Sequence, residues 1–493
     1  MSEATLVATL TTPPEEDGRS LAALAGRADV LEVRADLVGD LDPGWLRERF
    51  PGRLLYTLRS RGEGGRFEGS RERRRLRLAA AAGGYDLLDL EQEHDLAEPL
   101  LAAIPPERRV LSWHGPAAPP DILRRRFESL AEIPAALYKL VPHAAHPGEE
   151  LAPLLLLREL GRRDLVAFAT GELGAWTRLV APRLGAAWLF AAAGELPAAP
   201  GQPTLAALER DFGLPRLGPV EWIAGLVGQP VAHSLSPRLH NGGYRALGLP
   251  GLYLPFHVEQ FGEFWLEVVE SGLLAELGLP WRGLSVTTPH KDAALAVAGV
   301  ASPLATLAGS ANTLLFAEGA LAGRHDGRVR RRRVARRARP RAAGPLGGGG
   351  GGRGAGRAVA AGLAHAGARV VVANRSGERG RAAAAELGCD FVPLAEVDPA
   401  AFDVIVNATP LGRLDGDELP VPLAAARTGT VAVDLVYLEG PTRWLEEASR
   451  RGLRTVDGRE VLLQQARPQF RTMTGAELPL PLGRELLGLG AVS

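Results

Sequence analysis

Lysine is almost missing from this chain: Lys139 and Lys291 stand against 55 arginines in 493 residues. Arginine replaces lysine wherever positive charge alone is needed. It neither loses its proton near neutrality nor condenses with a carbonyl as a primary amine. The two remaining lysines are therefore candidates for chemistry, with a solvated surface position the plain alternative for each. Cysteine is rarer still. Cys389 has no second cysteine to pair with inside the chain, which fits a reducing compartment. No uninterrupted apolar run is long enough to span a bilayer, and Met1-Ser2-Glu3, followed by a short strand-like run and acidic residues, is expected to open no secretory signal. Formal net charge is zero, so the overall balance points to neither nucleic acid nor a membrane surface. A cytoplasmic protein acting on small molecules is expected, without a metal site. Composition sets no oligomeric state.

At roughly 100–200 residues per domain, this length holds two to four domains. In the first 215 residues, short β-rich runs alternate with helical segments. The runs are Ala4–Leu10, Val30–Val33, Leu54–Leu58, Tyr85–Leu90, Val110–Trp113, Ala136–Leu140, Leu165–Ala169 and Ala187–Phe190. Alternation implies parallel strands with right-handed crossovers, and eight such units make a (β/α)8 TIM barrel. An open doubly wound sheet would show the same alternation. In a barrel the active site lies at the C-terminal ends of the strands. Glu32, Arg34 and Asp36 close the second run, and Arg59 with Glu63 the third. His114 ends the fifth, Lys139 the sixth, Arg178 follows the seventh and Gln202 the eighth.

An amine, an imidazole and several guanidinium groups at one mouth suit Schiff-base chemistry on an anionic keto acid. An apolar mouth and nearby positive charge favour a neutral Lys139 amine, which attacks a ketone. The iminium acidifies the adjacent carbon, and His114 can remove that proton and later protonate a leaving hydroxyl. The segments Leu31-Glu-Val-Arg34-Ala-Asp36, Thr57-Leu-Arg59-Ser-Arg-Gly-Glu63, Ser112-Trp-His114, Tyr138-Lys139 and Ala199-Pro-Gly-Gln202 resemble type I 3-dehydroquinate dehydratases. The resemblance implies Lys139 as Schiff-base nucleophile and His114 as general acid and base, oriented by Glu63. It assigns Glu32, Arg34, Arg59, Arg178 and Gln202 to substrate carboxylate and hydroxyls. Thr170 stands where that family usually has methionine, and Ala198 where it usually has a substrate-contacting serine.

Leu214–Pro219 reads as a short linker. Beyond it, Ser234 and Ser236 are spaced to present two hydroxyls on one side of an extended segment, with Ser236 also a helix N-cap. With Leu284-Ser-Val-Thr287-Thr-Pro-His-Lys291 and Gly309-Ser-Ala-Asn312-Thr, this region resembles the substrate domain of shikimate dehydrogenases. The resemblance implies that Ser234, Ser236, Thr287, Lys291, Asn312 and the later Gln465 contact substrate. Lys291 would also transfer the proton. Ser285 replaces a usual asparagine. The aspartate partner of Lys291 is best matched by Asp326 in Gly323-Arg-His-Asp326, one residue short of the family spacing.

The coenzyme half follows. Val370–Ala373 is a buried parallel strand ending in Asn374-Arg375-Ser376 with Arg379, a basic, hydroxyl-bearing turn that favours NADP(H) over NAD. Asp403-Val-Ile-Val-Asn407-Ala-Thr409-Pro-Leu-Gly412 and Val433-Asp434-Leu-Val-Tyr437 read as further strands ending in ligand-facing turns. A phosphate loop is matched by Gly351-Gly-Arg353-Gly354-Ala355-Gly356.

Residues 325–353 break the pattern. Arg328–Arg341 is dense in arginine, Gly347–Gly352 is all glycine, and no apolar strand is expected before the phosphate loop. A stretch translated out of frame in a GC-rich gene accounts for this best, ahead of a disordered insertion or a basic arm for nucleic acid. The expected organisation is a barrel (1–215), a substrate domain (220–324), the aberrant stretch (325–353), a Rossmann-like NADP domain (354–456) and a C-terminal segment returning to the substrate domain (457–493). Expected function is dehydration of 3-dehydroquinate, then NADPH-dependent reduction to shikimate. The rivals are a dehydratase with an impaired second half and a non-catalytic sensor of such metabolites.

Overall fold

The computed structural model describes residues 4–308, 310–317, 320–324, 341–345 and 352–490. Two compact units are present: residues 1–237 with 244–282, and residues 238–243 with 283–493. The first contains eight parallel strands: Thr5–Leu10 (β1), Val30–Arg34 (β2), Arg53–Thr57 (β3), Leu87–Glu91 (β4), Arg109–Pro116 (β5), Leu137–His143 (β6), Leu165–Ala167 (β7) and Trp188–Ala192 (β8). They pair in the order β7-β6-β5-β4-β3-β2-β1-β8. The ends of that order meet where Ala187 N–H donates to Leu165 O at 3.1 Å, so the sheet curls into the expected barrel.

Strands β2 and β4 are buried over their whole length, as a parallel sheet covered by helices requires. Among the covering helices, Arg71–Ala81 starts at Ser70, whose side chain accepts the Arg73 N–H, and buries Leu78 and Ala81. The period of two along each strand sends alternate side chains inward. Lys139 was expected to end its strand. Instead β6 runs on to His143, so Lys139 lies inside the strand with Val141 and His143 above it on the cavity wall.

The same unit holds Trp222–Gly228 (β9) and Gly251–His257 (β10), paired in parallel over seven residues. The serine segment before helix Ser236–Ala246 is a turn and not the extended stretch expected. Ser234 N–H donates to Val231 O at 3.1 Å, and Ser234 Oγ accepts the Ser236 N–H at 3.2 Å. A local side-chain bond to the backbone has displaced extended geometry.

The units divide within Trp281–Val286 (β11). In the second, β11 pairs antiparallel with Thr313–Ala317 (β13). That strand forms an antiparallel pair with Ala320–Arg324 (β14), beside which lies Val300–Ala301 (β12). A separate parallel sheet contains Arg341–Pro345 (β15), Arg369–Asn374 (β16), Asp390–Pro393 (β17), Val404–Asn407 (β18), Val431–Asp434 (β19) and Arg454–Val456 (β20). Its order is β17-β16-β15-β18-β19-β20. Numbered from its first strand this is 3-2-1-4-5-6, the doubly wound order that binds dinucleotides at the reversal between strands one and four. Ile405, Ala432 and Trp444 lie at the centre of its core.

Strand β15 overturns the expectation that no strand precedes the phosphate loop. Ala342 and Ala343 pair with Val370 and Val371 on one side and with Val404 and Ile405 on the other. Two valine-rich neighbours offer backbone partners on both edges, and pairing of this kind overrides weak intrinsic β-propensity. Pro345 falls on the last residue of the strand, where a missing N–H interrupts the ladder least.

Candidate active site

A cavity of about 340 Å³ opens at the C-terminal ends of the barrel strands, and Lys139 and His114 both line it. Glu32, Arg34, Arg59, Glu63, Arg178 and Gln202 line it too, so the structure brings together every barrel residue singled out from sequence for the chemistry and the substrate.

The amine of Lys139 lies 3.9 Å from the centre of the Phe190 ring and 4.0 Å from both Glu32 Oε1 and Asp89 Oδ2. Burial is the largest influence on it and, with Arg59 and Arg34, lowers its pKa against the pull of Glu32 and Asp89. A larger share of neutral amine follows. Burial also drives His114 well below the usual imidazole range, reinforced by Arg59, Lys139, Arg34 and Arg178. His114 Nδ1 is 3.0 Å from Glu63 Oε2, which also accepts the His114 N–H at 3.1 Å. Glu63 Oε2 already accepts from Arg59 Nη1 and the His114 N–H and acts only as an acceptor, so Nδ1 carries the proton and Nε2 is left unprotonated.

Arg59 organises the floor. Its Nη1 donates to Glu63, Glu91 and Ser112 at 2.9–3.1 Å, and its Nη2 to Asp89 at 2.7 Å. Sequence reasoning missed Asp89 and Glu91. Both lie in the Leu-Leu-Asp-Leu-Glu run of β4 and are 1% and 0% exposed. Two acids at period two in a buried strand were the available signal. Arg34 is held bidentate by Asp36, with both contacts at 2.8 Å. Arg178 differs from both. Its Nε has no hydrogen-bond partner among the described residues, its guanidinium lies 4.2 Å from the Phe168 ring, and burial lowers it to about 10. Glu32 accepts from Thr9 and Thr57 at 2.6 and 2.8 Å, and Gln202 Oε1 accepts the Ala198 N–H at 2.7 Å.

The residues read as the second site are divided between the units. Ser234 and Ser236 belong to the first, whereas Thr287, Lys291, Asn312 and Gln465 belong to the second. Lys291 opens helix Lys291–Val297 behind buried His290, and burial lowers its pKa against the opposing charge of Asp292. Its carbonyl accepts the Ala311 N–H at 2.9 Å, which fixes the start of the Asn312 turn. Gln465 is exposed on helix Gly458–Thr474. One turn on, buried Gln469 holds the region together. It accepts from Ser285 Oγ at 3.1 Å and donates to Thr313 Oγ1 at 3.0 Å and Asn312 O at 3.3 Å. That residue was also missed, because it lies beside Pro468 in a helix whose motif drew attention to Gln465. Asp326 and Gly351 lie outside the described residues. Gly354 and Ala355 fall in the first turn of helix Gly352–His365.

At the tip of β16, Asn374 Oδ1 accepts the Ser376 N–H at 2.9 Å, and Ser376 Oγ accepts the Arg379 N–H at 3.4 Å. The Arg375 side chain is 73% exposed, 3.4 Å from Glu418. A guanidinium and a hydroxyl at the end of the second strand fit the 2′-phosphate side of a dinucleotide. The next helix packs closely here, since a Cβ on Gly380 would come within 2.1 Å of Phe391. Asn407 Oδ1 accepts from Thr409 N and Oγ1 at 2.9 and 2.7 Å, and its Nδ2 donates to Asp434 at 3.1 Å. This ties the tips of β18 and β19 together, with Tyr437 half-buried just beyond. For a metal, Glu172, His257 and Glu259 are the one group of ligating type among the described residues. Their ligand atoms lie within 4.8 Å of one another, and both glutamates are exposed.

Residues 6–214 match the type I 3-dehydroquinase family, and residues 226–314 match the shikimate dehydrogenase substrate binding domain. The chain is 29% identical over 488 residues to a bifunctional 3-dehydroquinate dehydratase/shikimate dehydrogenase, chloroplastic, of Arabidopsis thaliana, covering 92% of this chain and 79% of that protein. It is 35% identical over 276 residues to the shikimate dehydrogenase (NADP(+)) of Rubrobacter xylanophilus, covering 54% of this chain and 95% of that protein. Among solved structures, the shikimate 5-dehydrogenase of Thermus thermophilus in complex with NADP(H) and shikimate is 33% identical. The match covers 54% of this chain and 98% of that one, with a TM-score of 0.45. The chain belongs to the shikimate dehydrogenase family and joins it to a type I 3-dehydroquinase barrel in one bifunctional polypeptide.

Proposed function

We propose that the barrel dehydrates 3-dehydroquinate through a Schiff base on Lys139, and that the second half reduces the resulting ketone to shikimate with NADPH. One observation carries the first step. A buried amine of lowered pKa and a neutral imidazole line the same cavity, with the imidazole held through Nδ1. The neutral amine adds to the ketone and loses water to give an iminium. His114 Nε2 takes the proton from the adjacent carbon, and the electron pair of that C–H bond flows toward the iminium. As the pair returns, the C–O bond one carbon further breaks and His114 gives the proton to the departing hydroxyl. Water then hydrolyses the iminium and restores the amine. Glu63 stabilises the imidazolium between the two proton transfers. Arg59, with its donors committed to protein carboxylates, acts through its charge, whereas Arg178 keeps a donor for the substrate carboxylate.

In the second half, NADPH supplies the hydride. Arg375, Ser376 and Arg379 would hold its 2′-phosphate side, and the glycine-containing first turn of helix Gly352–His365 would receive its pyrophosphate. Lys291, with its pKa lowered by burial, exchanges a proton readily and serves the oxygen that gains one. Ser234, Ser236, Thr287, Asn312 and Gln465 bind the hydroxyls and carboxylate. The proposed compartment is the cytoplasm, supported by a lone, half-buried Cys389, and the proposed partners exclude nucleic acid and membrane. Among the described residues no helix is long and apolar enough to cross a membrane.

The test uses purified protein, 3-dehydroquinate and NADPH, following enone and NADPH absorbance together. Prompt NADPH oxidation is expected. Borohydride added with substrate should leave a reduced adduct on Lys139, and Lys139→Met should neither trap nor dehydrate. A Lys139→Met protein that still dehydrates would refute the mechanism.

A further inference from the structure

Two side chains on the dehydratase cavity wall have no part in the chemistry above: Thr170 and His143. They are neighbours. Thr170 N–H donates to Pro142 O at 2.8 Å, and Ala144 N–H donates to Thr170 O at 3.0 Å, a short parallel bridge at the rim. Gly171 then turns with φ of +92°, and a Cβ there would lie 3.0 Å from His143 Cε1. Absence of a side chain at that position lets the turn pack against the imidazole, which fixes the ring at the mouth.

The Thr170 hydroxyl lies 3.4 Å from Arg178 Nη2 and also 3.4 Å from Pro200 O. Both contacts are at the long limit for a hydrogen bond, so the hydroxyl is weakly committed. Arg178 is the one cavity guanidinium without a carboxylate within ion-pair distance among the described residues, since Arg34 is held by Asp36 and Arg59 by Glu63, Asp89 and Glu91. An anionic oxygen landing on Arg178 meets the Thr170 hydroxyl alongside it, with the His143 ring on the same rim.

We infer that Thr170 and His143 complete, with Arg178, the seat that grips the carboxylate of the dehydratase substrate, and so set specificity for an acid over its neutral analogue. This rests on the dehydratase reading. Thr170 turns its O–H from Pro200 to the carboxylate, and His143 supplies a ring N–H from the solvent side. Binding, and not bond making, is what the pair provides.

Thr170→Val keeps the shape and removes only the hydroxyl. KM for 3-dehydroquinate should rise about tenfold, the value of one charge-assisted hydrogen bond, with kcat within about twofold. Thr170→Ser should return KM to within about threefold of wild type. His143→Ala should raise KM severalfold, again with kcat held. The methyl ester of 3-dehydroquinate, tested as a competitive inhibitor, should bind wild type and Thr170→Val equally. A KM unmoved by both Thr170→Val and His143→Ala overturns the seat, as does a fall in kcat alone. Borohydride trapping on wild-type Lys139 separates the two levels. If it fails, the dehydratase reading falls; if it succeeds while KM stays put, the seat alone falls.

Discussion

Replacing Glu63 by glutamine probes the hydrogen bond on which the barrel chemistry turns. Glu63 Oε2 accepts from Arg59 Nη1, His114 N–H and His114 Nδ1, at 3.0, 3.1 and 3.0 Å, whereas Oε1 has no partner among the described residues. In Glu63→Gln the amide oxygen keeps the Oε2 position, because an amide NH2 there would face three donors. The His114 tautomer is therefore preserved, and what is lost is charge. A hydrogen bond to a charged group contributes about 1.5–3 kcal/mol and a neutral one about 0.5–1.5. The midpoints differ by about 1.25 kcal/mol, which is roughly tenfold in kcat.

Glu63's own titration makes this prediction depend on pH. Burial, helped by Glu91 and Asp89 and opposed by Arg59, pushes it up to about 8. Below that pH the wild-type proton rests on the partnerless Oε1, and Oε2 is a neutral acceptor, as the amide oxygen is in the variant. Above it the carboxylate is ionised and the two proteins diverge. The ratio of wild-type to variant kcat should be within about twofold at pH 6.5 and about tenfold at pH 9. Enone absorbance across this range gives both values, and borohydride trapping confirms that Lys139 still reacts. A ratio flat with pH would refute the argument. So would a loss of about 10⁴-fold at every pH, the signature of an amide that flips and fixes the wrong tautomer.

Two further outcomes concern the dehydrogenase half. Lys291→Met should slow NADPH oxidation by about 10²–10⁴-fold, the usual contribution of a proton-transfer group, while dehydratase kcat stays within about twofold. Loss of both activities would show instead that the substitution disturbs the whole fold. Arg375→Ala should raise KM for NADPH about tenfold and leave KM for NADH nearly unchanged, because only the former carries the 2′-phosphate. Equal effects on both coenzymes would remove Arg375 from phosphate recognition.

The barrel was legible because each buried strand is a short apolar run, and because inward alternation places polar residues such as Glu32, Arg34 and His114 where a water-facing pattern cannot explain them. Lys139 was legible by scarcity, a signal independent of periodicity. Asp89 and Glu91 were hidden by their surroundings, since a strand reading Leu-Leu-Asp-Leu-Glu looks like half-exposed alternation. Their period-two spacing hinted at a shared face, and the neighbours Arg59 and Arg74 show that this face is buried, with Arg59 reaching Asp89 at 2.7 Å and Arg74 reaching Glu91 at 3.2 Å. The order of charges along the chain does not disclose which ones share a dielectric cavity. The turn at Ser234 failed for a related reason: its geometry is set by a hydroxyl capping a backbone N–H two residues on.

Strand β15 shows the same limit from the opposite side. Arg341–Pro345 has no β-branched residue and ends in proline, so every local signal argued against a strand. Yet it occupies the first position of a 3-2-1-4-5-6 sheet, between Val370–Val372 of β16 and Val404–Ile405 of β18. A central strand is paired on both edges, and its backbone groups are satisfied by neighbours whatever side chains it carries. Side chains decide how well such a strand packs, while the strands beside it decide that the place exists. Val-rich β16 and β18 were both recognised from sequence, and the chain passes from one to the other through β17 on the far side of β16, which leaves the place between them to β15. The neighbours of β15 thus set its place in the sheet, and nothing in β15 itself declared it.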